Sequence, residues 1–172
     1  MLDSSFNILI KDNFIEKEFF NKIKNLVPTL NFGNNHYLRD GPSGHVWFSA
    51  DTEKDVENYI KEKCEKILNK KLKVILCSYT MVATVEPLVH QDAEFCDYQA
   101  LIYIKGNENI HKGTGFYVLN KDKNTFELNT HVGFKENRGV IWESGAWHSP
   151  MNWLAEDKSK RYAVIIQFKE LR

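Results

Sequence analysis

Residues 161–168 read Arg161-Tyr162-Ala163-Val164-Ile165-Ile166-Gln167-Phe168. Side chains of a strand alternate between its two faces. Tyr162, Val164, Ile166 and Phe168 therefore form one wholly apolar face, and Arg161, Ala163, Ile165 and Gln167 the other. The apolar face has to pack against a second layer, and the mixed face is suited to lining the inside of a barrel. Upstream of this segment, short β-rich runs recur at 73–84, 98–104, 115–119, 125–131 and 139–142, and Lys121-Asp122-Lys123-Asn124 forms a hairpin tip. No crossover helices separate these runs. The pattern predicts a mainly β fold, an antiparallel sandwich or jelly-roll barrel.

The first 72 residues have a different texture. Asn13 stands three residues before Glu16, the spacing of a capping box, and Phe14, Ile15, Phe19, Phe20, Ile23, Leu26 and Val27 make one apolar helical face that Pro28 ends. A second helix is expected to open at Asp51 or Thr52 and to bury Val56, Tyr59, Ile60, Cys64, Ile67 and Leu68. Residues 31–50, rich in Gly, Asn and Pro, read as loop with short strand, a place for a lid. The expected organisation is one domain, with 1–72 as helical support and lid region and 73–168 as the β core, the helices lying on one outer face.

Composition narrows the function. A chain of 172 residues, 42% hydrophobic, buries roughly 70% of its unfolded surface and needs neither disulfides nor a structural metal. With 23 basic and 23 acidic side chains, the zero net charge lacks the electrostatic footprint of a duplex binder. Cys64, Cys77 and Cys96 match no zinc or redox spacing and read as free thiols of a reducing compartment. No basic, apolar leader opens the chain, and no stretch approaches the ~20 apolar residues of a membrane span. These features predict a cytoplasmic protein that acts on neither nucleic acid nor membrane.

The chemistry concentrates in His90-Gln91-Asp92, where two metal-competent side chains stand two residues apart and share a strand face. Such a pair alone decides nothing. A later His148, in Trp147-His148-Ser149-Pro150, and then Arg161 complete an ordered set. Two neutral imidazoles and one carboxylate on one face of Fe(II) leave three positions open, enough for a chelating 2-oxo acid and O2. A zinc hydrolase with the same ligands is second, since no general base stands at the usual spacing. If Arg161 lines a barrel interior it needs an anion, which the distal carboxylate of 2-oxoglutarate supplies bidentately. An arginine that reaches solvent from the strand end is the alternative.

On these residues the second half resembles the double-stranded β-helix core of the iron(II)- and 2-oxoglutarate-dependent oxygenases, in their prolyl hydroxylase-like branch. The matching pieces are His90-x-Asp92, Leu101-Ile102-Tyr103-Ile104, Gly113-Thr114-Gly115-Phe116-Tyr117, Gly139-Val140-Ile141-Trp142, His148 and Arg161-Tyr162-Ala163-Val164. The resemblance implies that His90, Asp92 and His148 bind iron and that Arg161 and the Tyr103 hydroxyl hold the far carboxylate of 2-oxoglutarate. Tyr79 is the candidate for the cosubstrate's other end. It also implies hydroxylation of a C–H bond in a peptidyl side chain, proline included, or in a small molecule. The nucleic-acid demethylases of the superfamily carry a second arginine six residues after the first, where this chain has Gln167, which argues against base repair.

A cupin-like metal-binding protein and a catalytically silent binding module on the same barrel are the alternatives, and oligomeric state is not legible. Among other residues, His45, Tyr37 and Trp47 are candidates for substrate contact, His131 for a competing third ligand, Cys96 for a fourth, and Trp147 for a shield over the metal. For each a packing or solvent-facing role is the plainer reading, as it is for His111 in its polar turn.

Overall fold

The structure is a computed structural model that describes residues 7–34, 48–82, 89–108, 111–151 and 160–171. The chain runs β1 (Ile8–Lys11), α1 (Lys17–Leu26), a 3-10 turn (Val27–Thr29), β2 (Gly33–Asn34), β3 (Phe48–Asp51), α2 (Lys54–Leu68), β4 (Leu72–Val82), β5 (Tyr98–Lys105), β6 (Gly113–Asn120), β7 (Thr125–Gly133), β8 (Gly139–Glu143), β9 (Trp147–Pro150) and β10 (Arg161–Glu170). A large sheet has the order β1-β8-β5-β10-β4-β3-β2, a small one β7-β6-β9, and every pairing is antiparallel. This is the double-stranded β-helix, a jelly roll with helices on one side.

The alternation in β10 sorts the core. Val164, Ile166 and Phe168 pack beneath the helices with Phe20, Ile23, Val56, Ile60 and Cys64. Ala163 joins Leu101, Tyr103, Val140 and Trp142 in a second cluster, closed from the small sheet by Phe116 and Val132. Each Val, Leu, Ile or Phe among them, fully buried, contributes about 1.5–3 kcal/mol of transfer free energy. The second cluster lies between the sheets and forms the floor of the barrel in which the polar residues sit.

Two local expectations are corrected and one holds. Asn13 does not cap α1: its φ is +52°, and α1 starts only at Lys17, with Glu16 at the cap position and no side-chain cap bond. Phe14 and Ile15 are instead tied to Asn137, whose side chain accepts from Ile15 N–H at 2.7 Å and donates to Ile15 C=O at 2.8 Å. Tertiary hydrogen bonds have displaced the local capping motif. Pro28 ends the α-helix as expected: α1 stops at Leu26, and Pro28 sits in the first turn of the 3-10 segment that follows, where its missing N–H costs nothing. Asp51 ends β3 rather than opening α2, and the Thr52 hydroxyl donates to the Cys77 carbonyl at 3.2 Å. Tyr37, His45 and Trp47 lie outside the described residues. Among the described residues no helix is long and apolar enough to cross a membrane.

Candidate active site

His90 and His148 form an isolated antiparallel bridge, each N–H donating to the other's carbonyl at 3.0 Å. The bridge extends the small sheet by one rung beyond β9. Because His148 stands opposite Phe116 of β6, its ring points with Phe116 into the space between the sheets. Two residues on, Asp92 N–H donates to the Ser144 carbonyl at 3.1 Å, which fixes the carboxylate over the same space.

The ligand-capable atoms of His90, Asp92 and His148 all lie within 4.8 Å of one another. Asp92 Oδ2 is 3.7 Å from His90 Nε2 and 3.5 Å from His148 Nε2, too far for strong hydrogen bonds and close enough for one cation to reach all three. His148 Nδ1 lies 2.9 Å from the Ala146 carbonyl. That contact selects the tautomer with Nδ1–H, leaving the Nε2 lone pair turned toward Asp92. Burial, reinforced by the neighbouring His90, lowers the pKa of His148 well below the usual imidazole range, so the ring is neutral, the form a metal requires. Trp142 and Phe116 flank His148 at 5.1 and 6.4 Å between ring centroids and wall it from solvent. The donor set, with its neutral His148, fits a divalent transition metal of the facial-triad type.

Arg161 is 3% exposed and points into the barrel. Its guanidinium donates to the Gly113 carbonyl and lies over the Tyr103 ring, 5.4 Å from the centroid, and among the described residues its buried Nε–H has no partner. Among the described residues no carboxylate pairs with it, and burial lowers its pKa from the usual arginine value. A buried guanidinium in this state is complementary to an anion.

Tyr103, fully buried, stands beside Arg161, with its hydroxyl 2.8 Å from Thr114 Oγ1 and 3.3 Å from the Val132 carbonyl. Tyr79 is not brought to the site. It pairs across the sheet with Val164 and so faces the helices, where its hydroxyl donates to Glu53 Oε2 at 2.6 Å. The inward positions on that strand belong to Ser78 and Thr80, opposite Ile165 and Ala163.

His131 stands opposite Gly115, on the far face from His148, and takes no part in the converging group. Trp147 points outward too and stacks on Phe126 at 4.8 Å between centroids. His111 is exposed, and Cys96 Sγ faces Ser144 Oγ at 3.0 Å. Sequence reasoning missed Gln99, which donates from Nε2 to Asp92 Oδ2 at 2.9 Å. Its signal was a polar residue in the apolar run 98–104 that shares strand parity with Tyr103.

No family model matches the sequence, and no curated protein matches it. Solved structures do. HygX from Streptomyces hygroscopicus, a structure with nickel, 2-oxoglutarate and hygromycin B bound, is 11% identical over 96% of this chain and 85% of its own, with a TM-score of 0.65. A prolyl hydroxylase from Trichoplax adhaerens, in complex with a hypoxia inducible factor oxygen degradation domain peptide fragment, is 14% identical over 95% of this chain and 83% of its own, at 0.61. A prolyl-4-hydroxylase from Pseudomonas putida is 10% identical over 98% and 95%, at 0.57. At such identities the likeness is one of fold, and the chain has the double-stranded β-helix fold of the 2-oxoglutarate- and iron(II)-dependent oxygenases.

Proposed function

We propose that the protein is an Fe(II)- and 2-oxoglutarate-dependent dioxygenase that hydroxylates a C–H bond of a peptidyl side chain, proline among the candidates, or of a small molecule. The observation that carries this reading is the pairing of two features in one barrel. His90, Asp92 and His148 converge on one point, and the same interior holds a buried arginine with no carboxylate partner among the described residues. A metal-binding protein without a cosubstrate has no use for the second feature. The structures of fold relatives hold 2-oxoglutarate with nickel or iron, and one holds a peptide.

When bound, iron with 2-oxoglutarate and O2 supplies the oxidising chemistry, in which one oxygen atom enters the C–H bond and the cosubstrate leaves as succinate and CO2. The chain supplies the geometry. His90, Asp92 and His148 would hold the metal. Arg161 holds the distal carboxylate, and the Tyr103 and Thr114 hydroxyls, 2.8 Å apart, form the polar wall beside it. Trp142 and Phe116 exclude water from the His148 side.

The test is an anaerobic titration with Fe(II) and 2-oxoglutarate, read by the visible charge-transfer band of a 2-oxo acid chelated to iron. The wild type develops the band, His148→Ala abolishes it, and Arg161→Ala displaces it to at least tenfold higher 2-oxoglutarate. Bound iron without a band in the wild type sinks the cosubstrate assignment.

A further inference from the structure

Gln99 and Gln167 stand directly opposite each other on β5 and β10, both facing the barrel interior. Neither reaches solvent: Gln99 is 0% exposed and Gln167 8%. A buried primary amide destabilises a fold unless it is paired, and an aliphatic residue would fill either place. Here the two amides form a directed chain. Gln167 Nε2 donates to Gln99 Oε1 at 3.3 Å, and Gln99 Nε2 donates to Asp92 Oδ2 at 2.9 Å. Rotating the Gln99 amide by half a turn would set its oxygen against the carboxylate and its NH2 against the NH2 of Gln167, two repulsions in place of two hydrogen bonds. The polarity of the chain is set at its Asp92 end, because a carboxylate only accepts, and the Gln167 donor then satisfies the Gln99 oxygen.

The oxygen that receives this bond is Asp92 Oδ2, the same atom that faces both imidazoles. Asp92 is thus held twice, by its own N–H on the Ser144 carbonyl and by Gln99 on its carboxylate. We propose that Gln99 is a positioning residue of the metal centre, and that Gln167 acts through it by giving the Gln99 oxygen its donor and so steadying that amide. The pair fixes the orientation in which Asp92 offers an oxygen to the metal. This rests on the metal-centre reading above. Outer partners of metal ligands typically change affinity by about 10–100-fold when removed.

Co(II) alone is the probe, titrated into the full chain and followed by its d–d absorption, which reports both affinity and ligand geometry. Gln99→Met, close in volume and without the donor, is expected to bind Co(II) at least tenfold more weakly and with an altered spectrum. Gln167→Met is expected to weaken binding less than Gln99→Met, and to add nothing when the two are combined, because it acts only through Gln99. Binding within twofold of wild type with an unchanged spectrum in Gln99→Met overturns the proposal, as does a Gln167→Met effect that adds in full to that of Gln99→Met. If Gln99→Met does not fold, Gln167→Met decides alone: weaker binding with a shifted spectrum supports the chain, and wild-type behaviour refutes it. Asp92→Ala separates this from failure of the metal centre itself. Equal Co(II) uptake by Asp92→Ala and wild type overturns the centre, whereas loss in Asp92→Ala with wild-type behaviour in Gln99→Met overturns only the positioning role.

Discussion

The guanidinium of Arg161 lies over the ring of Tyr103, 5.4 Å from its centroid, and among the described residues that aromatic face and one backbone carbonyl are what it meets in place of a carboxylate. A charge buried under those conditions destabilises the protein that holds it.

Arg161→Met is accordingly expected to stabilise the ligand-free protein, by about 1–3 kcal/mol or roughly 3–8 °C in Tm. In the wild type, 2-oxoglutarate with Mn(II) raises Tm, and in Arg161→Met the same additions raise it no more than Mn(II) alone. Calorimetry with and without 2-oxoglutarate reads both effects. A variant that is less stable and still responds to 2-oxoglutarate would remove Arg161 from the anion site.

Asn137 sits at φ +60° and bridges the N–H and C=O of Ile15, while its own carbonyl accepts from Phe14 N–H at 2.9 Å. Asn137→Ala leaves two buried backbone groups unpaired and adds a left-handed backbone that alanine resists, for an expected loss of about 2–4 kcal/mol. Asn137→Gly relieves the backbone but not the pairing and should recover about 1 kcal/mol of it. Urea midpoints in the order wild type, Gly, Ala check the assignment.

Hydrogen bonds from Arg138 and Lys135 hold the Asp12 carboxyl down to about 2. With the folded value below the unfolded one of about 3.9, this contribution is complete above about pH 4 and is lost as the pH falls through about 2. Because the Asp12 side chain is 36% exposed, solvent screening reduces it to about 0.5–1 kcal/mol. Asp12→Asn should therefore lower Tm at pH 7 and make no difference near pH 2, as read by thermal melts across that range.

Burial pushes the thiols of Cys64, Cys77 and Cys96 up, to about 12, 11 and 11. At pH 8 the thiolate fraction is then very small, so the native protein should resist iodoacetamide over hours and take up three labels once unfolded in guanidinium. Fast native labelling at Cys96, counted by mass spectrometry, would mean that the segment carrying Asp92 opens.

The strands of the second half were legible because alternation survives in them. Tyr162, Val164, Ile166 and Phe168 share one face and Arg161 the other, and the structure keeps that split. What alternation does not carry is the phase between strands. Tyr79 reads as close to the site in sequence, yet its pairing with Val164 turns it to the helices. β9 was not read as a strand, since four residues ending in Pro150 give too short a pattern, and its place follows from pairing with β6. The triad was visible from residue type and order. Its orienting partners were not, because the Gln99 and Ala146 contacts depend on a register that no local spacing encodes.

Since His90 and His148 exchange both main-chain hydrogen bonds, the backbone positions that carry the two imidazoles are tied to each other. A cation gripped by both rings closes the same seam a second time. Metal occupancy should then slow amide hydrogen exchange at these two positions more than anywhere else in the small sheet, making the centre a clasp on the barrel's edge as well as a place for chemistry.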